Sequence, residues 1–256
     1  MSDQASKART FSALHVPGRP LVLFNVWDPG SAKAVAEAGA KALATGSWSV
    51  AAANGFGDGE RVPLDLVIGN LGRIVHAAAL PVSVDIESGY GKSPEEVGRS
   101  IARTLEAGAV GCNLEDSLPE SGTLRDLGEQ VERIRQARRA AEAAGIPYFI
   151  NARTDVFFKR PAAEHDAAML EAALARARAY ADAGASGLFA PGLVGRELIA
   201  RLAAASPLPL NIMVGGGTPA LSVLAEAGVA RVSHGPGPYL TAMKALTEAA
   251  RAALGG

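Results

Sequence analysis

The amino-acid sequence predicts an α/β fold, a (β/α)8 TIM barrel forming a single domain over residues 1–256. Two observations support this fold class: alanine-rich helical runs repeatedly end in Ala-Gly, and a short apolar segment follows each end. Glycine adopts the left-handed conformation that ends a helix. Strands that alternate with helices in this way pair in parallel, because each helix returns the chain to the same edge. A doubly wound open sheet is the alternative architecture. The helix stops lie at Gly39, Gly108, Gly145, Gly184 and Gly228.

Eight strands follow from this pattern. Five come directly after the glycine stops, and one more lies between Gly39 and Gly108, where the interval is roughly twice the usual length for one strand–helix unit. Two further apolar segments, near the start and near the end, complete the count. In chain order the predicted strands cover 21–25, 42–45, 82–85, 110–114, 147–150, 187–190, 208–213 and 230–233. We also predict a lead-in helix over 1–19, across the barrel floor, and a closing helix over 239–254.

The composition argues against several classes of protein, namely nucleic-acid binders, disulfide scaffolds and membrane proteins. The chain has 25 basic and 26 acidic side chains, a net charge of −1 and one cysteine, Cys112. A nucleic-acid binder would show a basic patch, and a disulfide scaffold would need paired cysteines. The sequence contains neither a long apolar run nor the apolar core of a signal peptide. We therefore expect a cytoplasmic protein that binds no nucleic acid and no membrane.

Polar side chains concentrate at the carboxyl ends of the predicted strands, where TIM barrels place their active sites. Asp85, Glu87, Glu115 and Asp116 follow neighbouring strands and would repel one another if ionised and unpaired. Hard oxygen ligands of this kind suit Mg²⁺, or Mn²⁺. The alternative is that these carboxylates cap helices or pair with arginine. Candidate substrate-binding residues at other strand ends are Asp28, Asn113 and Asn211.

Three further residues are candidates for catalysis. Arg153 could bind a substrate carboxylate or phosphonate through its guanidinium fork, or could instead form an ion pair with Asp155 or a carboxylate of strand four. The glycine-rich segment 49–62 is long for a connection and could be a lid that carries Asp58, although an exposed turn would show the same spacing. His234 could transfer a proton at neutral pH, but a packed structural histidine is an equal alternative.

At these residues the chain resembles the isocitrate lyase/phosphoenolpyruvate mutase superfamily. The resemblance covers nearly the whole chain and rests on Asn25-Val26-Trp27-Asp28, Gly55-Phe56-Gly57-Asp58-Gly59-Glu60, Asp85-Ile86-Glu87-Ser88-Gly89-Tyr90-Gly91, Asn113-Leu114-Glu115-Asp116 and Asn151-Ala152-Arg153-Thr154-Asp155. It implies Mg²⁺ bound through Asp85, with Glu87 and Glu115 acting directly or through water. It also implies that Ser47 and the backbone amide of Trp48 grip a substrate carboxylate. By the same resemblance Arg153 binds an anionic group, and Asp58 arrives on a gating loop.

The departures from the superfamily limit which reaction can be inferred. Isocitrate and 2-methylisocitrate lyases carry a lysine-rich motif with a catalytic cysteine and a histidine after the Glu-Asp pair. This chain reads Ser117-Leu118-Pro119-Glu120-Ser121-Gly122 there, and Cys112 precedes the pair. The lysine and asparagine of the mutase and phosphonopyruvate hydrolase members are absent from the same loop.

These features together predict a Mg²⁺-dependent carbon–carbon lyase or decarboxylase. Its substrate would be a small anionic 2-oxo or 2-hydroxy dicarboxylate, oxaloacetate-like or methylisocitrate-like, that reacts through a pyruvate enolate. Two alternatives stay open: a carbon–phosphorus enzyme, and a catalytically silent barrel that binds a 2-oxo acid. The resemblance further implies a homodimer or homotetramer whose closing C-terminal helix is swapped between subunits.

Overall fold

The computed structural model describes residues 3–255, and these residues form a (β/α)8 barrel as predicted. The strands are β1 (Leu21–Leu23), β2 (Leu43–Ala44), β3 (Val82–Asp85), β4 (Gly111–Glu115), β5 (Phe149–Arg153), β6 (Gly187–Phe189), β7 (Leu210–Met213) and β8 (Arg231–Ser233). The α-helices are α1 (Asp3–Ala13), α2 (Pro29–Glu37), α3 (Ser47–Ala53), α4 (Leu64–Ala77), α5 (Pro94–Glu106), α6 (Leu127–Ala143), α7 (Ala167–Asp182), α8 (Arg196–Ala205), α9 (Leu221–Glu226) and α10 (Gly237–Leu254).

All eight strands belong to one parallel sheet with the order β1-β8-β7-β6-β5-β4-β3-β2. Seven strand pairs form regular ladders. The two ends of the sheet meet beyond β1 and β2, where Val26 and Thr45 form an isolated parallel bridge. This curvature brings both ends of the sheet together, so the open doubly wound alternative is wrong.

The glycine stops behave as the sequence predicts. The five glycines have positive φ angles, from 67° at Gly145 to 95° at Gly184. At Gly108 a Cβ atom would lie 2.8 Å from the Val75 side chain, so glycine is required there by packing as well as by backbone conformation. The alanine-glycine pattern therefore reports real helix ends, and the buried strands follow from it.

The lead-in helix is shorter than predicted. It ends at Ala13, and residues 1–2 of the predicted 1–19 span lie outside the described residues. Phe11 and His15 pack on Phe149 of β5, with the His15 and Phe149 ring centroids 3.9 Å apart. Helix α1 and the turn that follows it thus pack against the barrel close to the start of β5.

The closing helix α10 begins two residues before the predicted start and is almost entirely exposed. Pro238 is its one buried residue, and Leu240 and Leu246 are 51% and 62% exposed. On the outer face of the barrel, Val22 of β1 and Phe24 just after β1 are also exposed and line a groove of about 680 Å³. The apolar outer face of β1 and the apolar residues of α10 therefore both lack a covering partner within residues 3–255.

No helix in the described part of the chain, residues 3–255, has the length and apolar character needed to span a bilayer.

Candidate active site

A cavity of about 210 Å³ opens at the carboxyl ends of the strands. Six of the predicted site residues line it: Ser47, Trp48, Asp58, Asp85, Asn113 and Arg153. Ser47, Trp48 and Asp58 follow β2, whereas the other three residues belong to β3, β4 and β5, so residues far apart in sequence meet here. The remaining lining residues include an apolar group that the sequence did not single out, Phe158, Phe189 and Met213.

Arg153 is held by two carboxylates. Its Nη1 atom lies 2.7 Å from Glu115, and its Nε and Nη2 atoms donate to the two oxygens of Asp155 at 2.6 and 3.0 Å. The Phe158 and Phe189 rings flank its guanidinium, with centroids 5.1 and 5.9 Å away. Both ion pairs that the sequence offered as the alternative to substrate binding are present. The Arg153 charge is therefore already neutralised by the protein.

Asp58 and Glu115 are carboxyl groups at the cavity, and both have raised pKa values. Burial raises the pKa of Asp58, and the nearby Asp85 charge raises it further. Burial also raises the pKa of Glu115, while the adjacent Arg153 opposes that rise. Several carboxylates facing one another around a single arginine are a donor set that fits a hard divalent cation.

The carboxylates do not by themselves form a complete metal-binding site. Among residues 3–255 no group of three or more acidic, histidine or cysteine side chains is arranged to hold a metal ion. Mg²⁺ commonly keeps several water ligands and takes only one or two carboxylates, so Asp85 with Glu115 remains a suitable pair.

Glu87 differs from the expected metal ligand. Its Oε2 atom accepts hydrogen bonds from the Gly59 and Glu60 amides, both at 2.7 Å, and its Oε1 atom accepts one from the Tyr90 hydroxyl at 3.0 Å. Burial raises the pKa of Glu87 to about 7, with the Asp58 charge as the second cause. The Glu87 carboxylate is thus directed to the loop that carries Asp58.

The predicted lid is shorter than its sequence suggested. Residues Ser47–Ala53 form helix α3, so only the part from Asn54 onward is irregular chain. The sequence-based segment 49–62 was wrong in this respect, because alanines 51–53 continue the helix that Ser47 begins. Asp58 nevertheless lies in the cavity wall beside Ser47, whose side chain lowers the pKa of Asp58 and so opposes the effect of burial.

Several other predicted site residues are used elsewhere. Asp28 caps α2, because its side chain accepts a hydrogen bond from the Ser31 amide at 2.7 Å. Asp116 is buried in a bonding network with Arg176 and Tyr180. Their proximity to strand ends misled the sequence interpretation, since capping and structural ion pairing use the same residue types as binding.

Asn211 and His234 also lie outside the cavity lining. Asn211 is buried below it and accepts a hydrogen bond from Ser233, which does line the cavity. The His234 ring packs against the exposed Phe24 ring, 5.1 Å away. This contact agrees with the alternative of a packed histidine, and the catalytic role of His234 stays a prediction.

Asn25 is a structural residue at the cavity that sequence reasoning named only within a motif. Its Oδ1 atom accepts from the His234 and Gly235 amides, and its Nδ2 atom donates to the Thr45 carbonyl. Asn25 therefore ties the segments after β1, β2 and β8 together beneath Ser47 and Trp48.

The chain is similar to known proteins in both sequence and structure. A family described as phosphoenolpyruvate phosphomutase matches residues 11–254. A crystal structure from Burkholderia cenocepacia J2315, of a protein provisionally assigned as a phosphonomutase, is 60% identical and superposes with a TM-score of 0.95 over 99% of this chain and 100% of that chain.

Several relatives are named for a reaction, and two of them represent the two reactions concerned. The 2-methylisocitrate lyase of Salmonella typhimurium is 32% identical over 96% of this chain and 82% of its own length. The oxaloacetate decarboxylase of Bradyrhizobium sp. strain BTAi1 is 35% identical over 72% of this chain and 62% of its own length.

Proposed function

This chain belongs to the phosphoenolpyruvate phosphomutase family, within the isocitrate lyase/phosphoenolpyruvate mutase superfamily, and we propose that it is a Mg²⁺-dependent carbon–carbon lyase or decarboxylase. Its substrate is a small 2-oxo or 2-hydroxy dicarboxylate that reacts through a pyruvate enolate. Decarboxylation of an oxaloacetate-like acid is the form of this reaction that the cavity favours.

The ion pairs of Arg153 are the main observation in favour of decarboxylation. Arg153 is the only cationic side chain among the described residues that line the cavity, and Glu115 and Asp155 already neutralise it. Phe158, Phe189 and Met213 supply an apolar surface in the same cavity. A distal substrate carboxylate would be desolvated there without a free counter-charge, and loss of CO₂ moves its negative charge away from this apolar surface onto the 2-oxo oxygen.

Asp85 and Glu115 are the residues that would hold Mg²⁺. When bound, the ion would supply Lewis-acid stabilisation of the negative charge that develops on the 2-oxo oxygen. Ser47 and the backbone amide of Trp48 orient the substrate's first carboxylate. Burial raises the pKa of Asp58, which makes its carboxyl the proton donor that we propose for the methylene carbon after CO₂ has left.

Carbon–phosphorus chemistry is the second candidate, favoured by the 60% identity to the B. cenocepacia protein provisionally assigned as a phosphonomutase. In that case the substrate carries a phosphonate, and Asp58 or a water molecule attacks phosphorus. The neutralised Arg153 counts against this candidate, because a phosphonate dianion needs more positive charge than a carboxylate.

The direct experiment measures pyruvate release from oxaloacetate, 2-methylisocitrate and 2,3-dimethylmalate, with and without EDTA. Phosphorus NMR on phosphonopyruvate is run beside it. Pyruvate from oxaloacetate that stops with EDTA supports the proposal, and metal-independent turnover contradicts the metal assignment. Turnover of phosphonopyruvate alone supports the second candidate. Tight oxalate binding without turnover of any of these acids would instead support a silent binding barrel.

The same proposal includes a homodimer or homotetramer in which α10 of one subunit covers the outer face of β1 on another. The exposed leucines of α10 and the exposed Val22 and Phe24 support it. The Tyr239 ring of α10 also packs near the cavity, with its centroid 5.1 Å from that of Trp27 and 5.9 Å from that of Trp48. The start of this helix is therefore fixed beside the site. A cytoplasmic location stays a prediction.

A further inference from the structure

We propose that Glu60 and Glu87 are positioning residues that form a latch holding Asp58 inside the cavity. The carboxylate latch consists of Glu60, Glu87, Ser88 and Tyr90, and it joins the loop between α3 and α4 to the turn after β3. The chemical use of Asp58 rests on the proposed function, but the latch itself rests on contacts that exist without substrate.

The first half of the latch runs from the turn to the loop. Both the Gly59 and the Glu60 amide donate to the same Glu87 oxygen at 2.7 Å. Gly59 directly follows Asp58, so the two bonds fix the backbone immediately beside the Asp58 carboxylate. Hydrogen bonds from amides to a buried carboxylate are stronger than those between neutral groups.

The second half runs in the opposite direction. One Glu60 oxygen accepts hydrogen bonds from the Ser88 hydroxyl at 2.7 Å and the Tyr90 amide at 2.8 Å. The Tyr90 hydroxyl then donates to the second oxygen of Glu87 at 3.0 Å. Five hydrogen bonds therefore connect four residues of the latch and Gly59 into one closed network.

The backbone is strained at this network. Glu60, Glu87 and Tyr90 have φ angles of 58°, 52° and 53°, and they are the only non-glycine residues with positive φ among residues 3–255. Side chains with a Cβ atom rarely adopt this conformation because it costs energy. The surrounding contacts must over-determine it, and such strain concentrates where geometry serves a site.

The latch opposes a repulsion within the cavity. Burial disfavours the ionised form of Asp58 and raises its pKa, and the nearby Asp85 charge adds to this cost. An unrestrained loop would relieve both by moving Asp58 into water. Glu60 and Glu87 prevent this movement through the adjacent backbone, without contacting substrate themselves. Substrate entry through this loop then requires the latch to open.

Hydrogen–deuterium exchange of the full-length protein tests the latch directly. Peptides covering 54–62 are followed in wild type, Glu60→Gln, Glu87→Gln and Tyr90→Phe. Glu171→Gln, at an exposed glutamate of α7 with no hydrogen bond to the loop, is the matched control. We expect exchange in this loop to be about tenfold faster in the two glutamine variants and less accelerated in Tyr90→Phe, with unchanged exchange in the strand peptides. Wild-type exchange rates in the loop of both glutamine variants would overturn the latch.

Two further measurements separate this inference from other roles. Calorimetric titration with MgCl₂ distinguishes a latch from a metal ligand: loss of Mg²⁺ binding in Glu87→Gln with a protected loop would assign Glu87 to the metal and overturn the proposal. With oxaloacetate we expect Glu60→Gln to lower kcat more than it changes KM, because Asp58 is misplaced. If wild type turns over none of the acids, the proposed function fails, while the exchange result still decides the latch.

Discussion

Arg153 donates two hydrogen bonds to Asp155, at 2.6 and 3.0 Å, and Asp155 is completely buried. The two residues are separated by one position at the end of β5, so the strand itself aligns the guanidinium fork with the carboxylate. Asp155 also accepts a hydrogen bond from Ser117 at 2.7 Å. Arg153 thus enters the cavity in a fixed orientation and with little free charge.

Asp155→Asn is expected to lower kcat/KM for oxaloacetate at least tenfold, because the Arg153 fork loses its charged partner and its orientation. Breaking a buried ion pair on one side also costs about 3–5 kcal/mol of stability. Steady-state kinetics and urea unfolding measure the two effects. Ser117→Ala is the control, since it removes only one hydrogen bond to the same carboxylate and is expected to cost about 1 kcal/mol. Equal losses in the two variants would contradict a special role for the ion pair.

Asp85→Asn is expected to abolish Mg²⁺-dependent turnover, because the amide removes the carboxylate that lines the cavity floor. Calorimetric titration with MgCl₂ in the presence of oxalate should show no binding in the variant. Asp65→Asn, at an exposed aspartate paired with Arg103 on the surface, serves as control and should bind Mg²⁺ like wild type. Retained binding in Asp85→Asn would move the metal site elsewhere.

Leu246→Glu is expected to dissociate the oligomer, because a charge would enter the interface proposed for α10. Light scattering after size-exclusion chromatography gives the mass. Leu221→Glu makes the same substitution at a similarly exposed leucine of α9 and should leave the mass unchanged. A wild-type protein that is already monomeric would refute the exchanged-helix assembly.

His15 predicts a pH dependence of stability. Burial lowers the pKa of His15 to about 3, with the Arg231 charge as the second cause. The folded protein therefore keeps His15 neutral, while the unfolded chain takes up a proton as pH falls below about 6.5. This proton uptake lowers the free energy of unfolding by about 1.4 kcal/mol per pH unit between pH 6 and pH 4.

Urea unfolding of wild type and His15→Phe across this pH range isolates the effect, because all other groups titrate in both proteins. Phenylalanine preserves the ring packing on Phe149 and lacks the titrating nitrogens. The difference in unfolding free energy between the two proteins should shrink or reverse toward low pH in favour of the variant. A difference independent of pH would show that His15 does not titrate on unfolding.

The sequence predicted the barrel well because its signal is local. Each helix stop depends on one glycine, and Gly39 or Gly184 ends a helix whatever lies across the barrel. The general position of Asp58, Asp85 and Arg153 followed once strand ends were located. These inferences required no knowledge of distant partners.

The remaining features depend on contacts that sequence order does not contain. Asp28 and Asp85 both follow strands, and only the structure reveals that Asp28 caps a helix while Asp85 lines the cavity. Glu87 is two residues beyond Asp85 but turns toward the loop through a left-handed backbone that glutamate seldom adopts. Phe158 and Phe189 carry no polar signal, so the apolar side of the cavity was missed.

The meeting of the sheet ends beside the cavity has a mechanical consequence. Seven pairs of neighbouring strands are joined by hydrogen-bonded ladders, whereas β1 and β2 are joined, in the chain from residue 3 to residue 255, only through the Val26–Thr45 bridge and the Asn25 side chain. A closed barrel separates most easily where two neighbouring strands share the fewest hydrogen bonds. In this barrel that position is the contact between β1 and β2, which adjoins Ser47. We therefore expect local opening of the barrel between β1 and β2, beside the cavity, to cost less free energy than separation of strands joined by ladders.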